Sequence, residues 1–355
     1  MAIEELEQKL KDVIMSIPAY DTDAAERARR HSDQLTKPPG SLGKLEEMAA
    51  RLAGISGKLW PDLSRRAVIV MAGDHGVCEE GVSAFPSAVT PQMVMNFLHG
   101  GAAVNVLARQ AGAEVVCVDM GVAADLSHPD LISRKVVYGT ANMARGAAMS
   151  REQTLQAIVA GINIAEEKAK QGIALFATGE MGIGNTTASA AIASVLGGLS
   201  AELAVGRGTG IGDEALMRKI EVVRKAIAVN EPNPGDPVDV LAKVGGAEIA
   251  GLAGVMIGAA ANRCPVVIDG YISSAAALAA ARLAPGALPY MLASHLSHEH
   301  AHGALLEVIG LSPIIHLEMR LGEGTGAVLS FHLIDAAIQL MTEMATFDSA
   351  GVSKG

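Results

Sequence analysis

Six short apolar runs, at 67–71, 114–118, 173–177, 265–268, 290–293 and 314–319, alternate with stretches of helical periodicity. That alternation constrains the fold more than any other feature of the chain. Runs this short, without polar alternation, read as strands buried on both faces. The helical stretches fall between them, at 92–110, 152–170, 213–229, 246–261, 271–282 and 300–309. Parallel strands need long crossovers, and crossover helices cover both sides of the sheet they connect. The expected fold class is therefore α/β: a mostly parallel sheet of about six strands with helices on both faces.

The chain before residue 60 has a different pattern. Ile3, Leu6, Leu10, Val13, Ile14 and Ile17 recur at helical spacing until Pro18. Asp23 with Glu26 resembles the cap of a second helix, the segment 36–41 breaks the chain, and Leu45, Met48, Ala49 and Leu52 mark a third. We expect a small helical domain over 1–60, joined by a C-terminal helix over 327–347, and an α/β catalytic domain over 61–326. Aromatic residues make up only 3% of the chain, so the core has to be built from Ala, Val, Ile, Leu and Met. A net charge of −10 argues against a nucleic-acid partner. Cys78, Cys117 and Cys264 are isolated, which fits a reduced, cytoplasmic setting. The start lacks the basic and apolar regions of a signal peptide, and the apolar run 249–261 is short for a membrane span, so no membrane partner is expected.

Polar, glycine-bearing clusters close nearly every candidate strand: Gly73-Asp74-His75-Gly76, Asp119-Met120-Gly121, Gly179-Glu180-Met181-Gly182, Asp269-Gly270, Ser294-His295 and Arg320-Leu321-Gly322-Glu323-Gly324. Ligands of open parallel sheets bind outside the carboxyl ends of the strands, so clusters in phase there imply one shared site. The richest runs from Thr178 to Thr187. A glycine turn between a buried strand and a helix start aims backbone N–H groups at one point, which suits phosphate. Gly182 and Gly184 would let the backbone approach the ligand, and Asn185, Thr186 and Thr187 would supply caps and hydrogen bonds. Glu180 is out of place in a pure phosphate cradle, so a second chemistry is expected there. The alternative is a tight turn with no ligand.

Two motifs suggest other enzymes. The segments 210–215 and 322–327 match the loose dinucleotide fingerprint GxGxxG/A, which would fit a dinucleotide-dependent oxidoreductase; neither has the full strand and acidic-residue context. His298-Glu299-His300-Ala301-His302 is a literal HExxH, the pattern of a zinc hydrolase using His298, Glu299 and His302. The preceding segment reads as a loop, and no third ligand stands out, so no metal is expected.

Taken together, seven segments resemble one family over nearly the whole chain. They are Lys37-Pro-Pro-Gly-Ser-Leu-Gly43, the segment 72–77, the segment 179–187, the segment 205–210 with Lys219, the segment 244–249, Ser294-His295 with Ser297, Glu299 and His302, and the segment 319–327. The chain resembles the nicotinate-nucleotide–dimethylbenzimidazole phosphoribosyltransferases. The resemblance implies a Rossmann-like large domain, a homodimer, no cofactor, and two small-molecule substrates, nicotinate mononucleotide and 5,6-dimethylbenzimidazole. It also implies transfer of the 5-phosphoribosyl group to give α-ribazole 5′-phosphate and nicotinate, a step in assembling the lower ligand of cobalamin. By the same resemblance Glu323 is the general base and Glu180 a second carboxylate of the site. Gly182, Ile183, Gly184 and Asn185, with Thr186 beside them, would hold the donor phosphate, and Lys219 would be its countercharge. Gly208, Ser294 and Arg320 would be further donor contacts. Met93, Met181 and Leu321 are expected as apolar walls around the acceptor, with Phe85 and Met93 placed where acceptor choice is set.

Overall fold

The computed structural model describes residues 2–208 and 210–353. Its six strands are β1 (Arg66–Gly73), β2 (Ala113–Gly121), β3 (Ile132–Ser133), β4 (Leu175–Met181), β5 (Val266–Ile268) and β6 (Met291–Ala293). They form one sheet in the order β3-β2-β1-β4-β5-β6, and every pairing is parallel. This is the doubly wound order, whose direction of winding reverses between β1 and β4. The functional crevice is expected at their carboxyl ends.

The helices in chain order are α1 (Ile3–Ser16), α2 (Thr22–Ser32), α3 (Lys44–Ser56), α4 (Val89–Leu98), α5 (Ala103–Ala111), α6 (Arg151–Lys170), α7 (Asn185–Gly197) and α8 (Ala201–Ala204). They continue as α9 (Asp213–Asn230), α10 (Pro237–Val244), α11 (Ala247–Ala261), α12 (Tyr271–Leu283), α13 (His302–Ile309), α14 (Thr325–Leu329), α15 (Phe331–Glu343) and α16 (Phe347–Ala350).

Period-two side-chain direction splits the interior into two cores. Along β1, Ala67, Ile69 and Met71 face the layer containing α6, α7, α11 and α12. Val68, Val70 and Ala72 face the layer of α3, α4, α5 and α15. The long pair α6 and α11 packs at backbone contact. A Cβ on Gly161 would strike the Gly251 carbonyl, and one on Gly254 would strike the Ile158 carbonyl. That close approach explains why 249–261 is so rich in glycine and alanine. The stretch Thr325–Glu343 is long and apolar enough, by length and composition alone, to cross a membrane. It bends at Ser330, whose hydroxyl donates to the Gly326 carbonyl, and its Val328, Phe331, Ile334 and Met341 are buried in the second core.

At the chain ends, α3 packs on α2 and α15, and Leu35 bridges antiparallel to Thr346. By contrast α1 lies across α6 and α11, with Leu6, Leu10 and Val13 in the first core. The cap of α2 is Asp21, which accepts from the Ala24 N–H, and not Asp23.

Several expected elements differ. The run 314–319 is not a strand: it meets β6's extension at the isolated bridge His295–Ile315 and at the His298 N–H, which donates to the Met319 carbonyl, and Glu318 takes a left-handed φ of 54° that interrupts the β path between them. The helix expected over 92–110 is two, parted at Gly100-Gly101, and the C-terminal helix is likewise parted at Ser330. Strand β3 and helix α10 are not among the elements expected from the sequence.

Candidate active site

The expected turn at 178–187 begins later than its sequence suggests. Strand β4 continues to Met181 because β1 runs alongside it, Met71 opposite Glu180 and Ala72 opposite Met181. Glu180 and Met181 therefore stand on the rigid end of a central strand, and the turn itself is Gly182-Ile183-Gly184. It leads into α7, whose N-cap is Gly184 at φ 93°.

Both glycines are required by the protein's own packing. A Cβ on Gly184 would sit 2.6 Å from Cys78 Sγ and 3.3 Å from His75 Cβ, and one on Gly182 would strike the Gly73 carbonyl. The turn is pressed onto the β1 loop, and Thr90 accepts from the Ile183 N–H at 3.1 Å. Asn185 does not cap α7 with its side chain; its Nδ2 donates to Glu180 Oε2. Thr187 is buried, with its hydroxyl unpartnered. Thr186 Oγ1 accepts from Lys219 Nζ at 2.8 Å.

Lys219 is only 1% exposed and its other partner is the Gly206 carbonyl at 3.2 Å. It makes no ion pair with any described residue. Burial pulls its pKa down to about 8, against the smaller upward pulls of Glu299 and Cys78. A buried ammonium behind Thr186 and Gly208, beside a helix N-terminus, is an electrostatic invitation to an anion.

The opposite side of the crevice is built from carboxylates. Gly322, Glu323 and Gly324 form a turn of three successive left-handed residues, with φ of 84°, 63° and 92°. Such a φ is uncommon for a residue with a side chain, and such strain clusters at functional sites. Glu323 is 6% exposed, and its Oε2 makes no hydrogen bond. Burial lifts its pKa above the ordinary carboxyl range; a hydrogen bond involving the Val104 backbone opposes this, and the charge of Asp269 adds to it. Glu180 lies directly under this turn, its Oε1 where a Cβ on Gly322 would go. Burial first, then Asp269 and Glu248, push Glu180 up to about 8, against hydrogen bonds from Asn185 and the Glu323 backbone. Two neighbouring carboxyls whose pKa values are both raised by burial are a proton-handling arrangement.

These groups line a cavity of ≈ 340 Å³. It brings together the expected Met93, Glu180, Met181, Gly182, Ile183, Asn185, Thr186, Gly208, Arg320, Leu321 and Glu323, with Phe85. Phe85 and Leu321 are 52% and 58% exposed, so its rim is apolar. A second cavity of ≈ 560 Å³ shares Gly208, Glu299 and Arg320 with the first. Arg320 is exposed and has no ion pair with a described residue, so it can serve a ligand in either space. Ser294 is placed elsewhere: it is fully buried, and its hydroxyl is engaged with His295 Nδ1 at 2.9 Å and the Asp269 carbonyl at 3.3 Å. Ser297 lines the cavity instead, as do Tyr271 and Glu299. Asp269 belongs to the polar cluster expected at the end of β5 but is given no role by the sequence, and Tyr271, the first residue of α12, carries no signal there as a site residue.

The competing motifs do not assemble. Only His302 of the HExxH segment is helical, at the first residue of α13. Its Nδ1 accepts from the Ser297 N–H at 2.8 Å, so Nε2 carries the proton and faces Ser274 Oγ at 2.9 Å. Both nitrogens are committed, and burial depresses the pKa to about 3, which keeps the ring neutral. His302 shapes the Ser297 loop and is not disposed to bind zinc. Neither glycine fingerprint follows a strand: 210–215 comes after α8, and 322–327 leads into the five-residue α14.

The chain is similar to known proteins along nearly its whole length. A family model described as phosphoribosyltransferase matches residues 17–352. The nicotinate-nucleotide–dimethylbenzimidazole phosphoribosyltransferase of Chloroflexus aggregans is 58% identical over 346 residues, covering 97% of this chain and 98% of that protein. The enzyme of the same name from Geobacter sulfurreducens is 53% identical over 347 residues, covering 98% and 99%. Among solved structures, the corresponding protein of Thermus thermophilus superposes with a TM-score of 0.90 at 47% identity, covering 94% of this chain and 100% of that one.

Proposed function

Because the chain belongs to the nicotinate-nucleotide–dimethylbenzimidazole phosphoribosyltransferase family, we propose how this cleft carries out the reaction for which that family is named. The enzyme transfers the 5-phosphoribosyl group of nicotinate mononucleotide to 5,6-dimethylbenzimidazole, in the synthesis of the cobalamin lower ligand. The carrying observation is the polarity of the site: a buried ammonium without an anion at one side, and a buried carboxylate with a free oxygen at the other.

The donor phosphate belongs at the start of α7, over Thr186 and Gly208, with Lys219 behind it. The exposed guanidinium of Arg320 suits the nicotinate carboxylate. The apolar acceptor fits between Phe85, Met93, Met181 and Leu321. One ring nitrogen of the acceptor attacks C1′ of the ribose as the bond from C1′ to the pyridinium nitrogen breaks. The bonding pair stays with the leaving nicotinate and neutralises its ring, so no leaving-group acid is needed. The other ring nitrogen must lose its proton, and Glu323 takes it. A carboxylate with its pKa raised towards neutrality is the better base for this step. Glu180, pushed up to about 8, holds its own proton at neutral pH and orients the Glu323 turn.

From family membership we further infer a cytoplasmic homodimer, which light scattering of the purified protein tests. The activity is tested by following nicotinate release from nicotinate mononucleotide with and without dimethylbenzimidazole. Release that does not depend on the acceptor overturns the assignment.

A further inference from the structure

Glu323 is held in an uncommon conformation, and besides Glu180 two residues that do not face the cavity hold it. Its carbonyl lies where a Cβ on Gly179 of β4 would go, so that glycine lets the turn seat on the strand. The other anchor is Asp269, which follows β5 and is 1% exposed. Its Oδ2 accepts from the Gly324 N–H at 3.1 Å and its Oδ1 from the Ala327 N–H at 3.0 Å. One carboxylate thus spans the segment just after Glu323 and ties it to the end of β5. A neutral amide could accept only one of these two bonds, because its second position carries N–H donors.

Asp269 is also a charge among carboxyls. Glu180 stands beside it at the end of β4, Glu323 on the turn it holds, and Glu248 at the start of α11. The basic side chains facing this group are few. His295, after β6, has Nδ1 4.0 Å from Asp269 Oδ1, and His75, after β1, is bound to Glu248 at 2.7 Å. Arg320 lies three residues before Glu323 on the same loop. Burial raises the pKa of Asp269, while His295 and backbone N–H groups of Ala327, Gly324 and Gly270 act to keep it ionised.

We propose that Asp269 is a positioning residue for the transfer, its ionised carboxylate clamping the Gly324–Ala327 segment so that Glu323 is aimed at the acceptor and shares its surroundings with a fixed negative charge. This rests on Glu323 being the base. Asp269 does not line the cavity, so its loss should misplace the base rather than weaken donor binding. It should also change the charge against which Glu323 and Glu180 titrate.

The test uses Asp269→Asn in the full-length protein, with wild type assayed first for acceptor-dependent nicotinate release. If wild type shows none, the assignment of the activity fails, independently of Asp269. With activity established, Asp269→Asn should keep a cooperative melt and a KM for nicotinate mononucleotide within about threefold of wild type, while kcat falls roughly 10- to 100-fold, as for a base displaced by under 1 Å. The acidic limb of kcat/KM for dimethylbenzimidazole should move to lower pH by about half a unit or more, because a neighbouring negative charge is gone. An unchanged kcat overturns the proposal. A lowered kcat with an unmoved acidic limb overturns it too, because a merely structural role would give that result. Asp269→Ser, which keeps one acceptor on a smaller side chain, is made alongside. Loss of the cooperative melt in both variants assigns Asp269 to the fold and also overturns the proposal.

Discussion

Lys219→Met should make the ligand-free enzyme more stable while crippling it. Lys219 titrates near 8 in the fold, whereas an exposed lysine titrates near 10.5. The folded state therefore releases this proton more readily than the unfolded state does. The penalty for burying the charge is complete below pH 8 and disappears as the pH rises towards 10.5. At 1.36 kcal/mol per pH unit the difference corresponds to about 3 kcal/mol at pH 7. Met is close in length, carries no charge and adapts to its surroundings. The substitution leaves Thr186 Oγ1 and the Gly206 carbonyl without the ammonium, which takes back about 1 kcal/mol. The net gain is about 2 kcal/mol. For a chain of 355 residues, with an unfolding entropy of roughly 2 cal/mol/K per residue, that is a rise in Tm of about 3 °C. At pH 10 the gain should be gone. Donor binding moves the other way: losing a buried charge-assisted contact to phosphate should raise the KM for nicotinate mononucleotide by roughly 10- to 100-fold. Calorimetry from pH 6 to 10 and steady-state kinetics read both effects. A lower Tm at pH 7, or a donor KM within threefold of wild type, refutes the reasoning that Lys219 is a buried charge kept for an anion.

Glu323→Gln should keep the fold and most acceptor binding but lower kcat by about 10²–10⁴-fold, whereas Glu180→Gln, which mimics the neutral acid, should stay within about tenfold at pH 7. Steady-state kinetics of both decide it, and near-normal turnover in Glu323→Gln would remove that residue as the base. Gly184→Ala should destabilise the protein by about 1–2 kcal/mol through its left-handed φ alone, with a further loss from contact with Cys78 that Cys78→Ala relieves; a double-mutant melting series in which the two changes simply add would refute the contact. Activity should survive prolonged chelation, because both ring nitrogens of His302 are engaged; zinc at one per chain with chelator-sensitive turnover would contradict this.

The alternation of apolar runs with helical stretches was enough to settle a parallel α/β sheet, because buried strands need unbroken apolar sequence and parallel ones need crossovers. The polar clusters at 179–182 and 320–324 were legible in the sequence as one shared locality, and the fold brings residues of both into a single cavity. What each residue does there was not legible. Gly184 reads as a glycine of the phosphate turn, and only the structure shows that Cys78, 106 positions earlier in the chain, leaves no room for a side chain there. Asn185 reads as a helix cap, yet its side chain serves Glu180. Ser294 has the right identity for a contact but spends its hydroxyl in the interior. Asp269 carried only a weak signal, because its partners are backbone N–H groups 55 and 58 residues away, which leave no mark on side-chain pattern. Periodicity reports which way a side chain faces relative to its own strand or helix. Which other segment stands there, and hence the burial that shifts Glu180 and Lys219, is decided only when the sheet brings the ends of β1, β4 and β5 together.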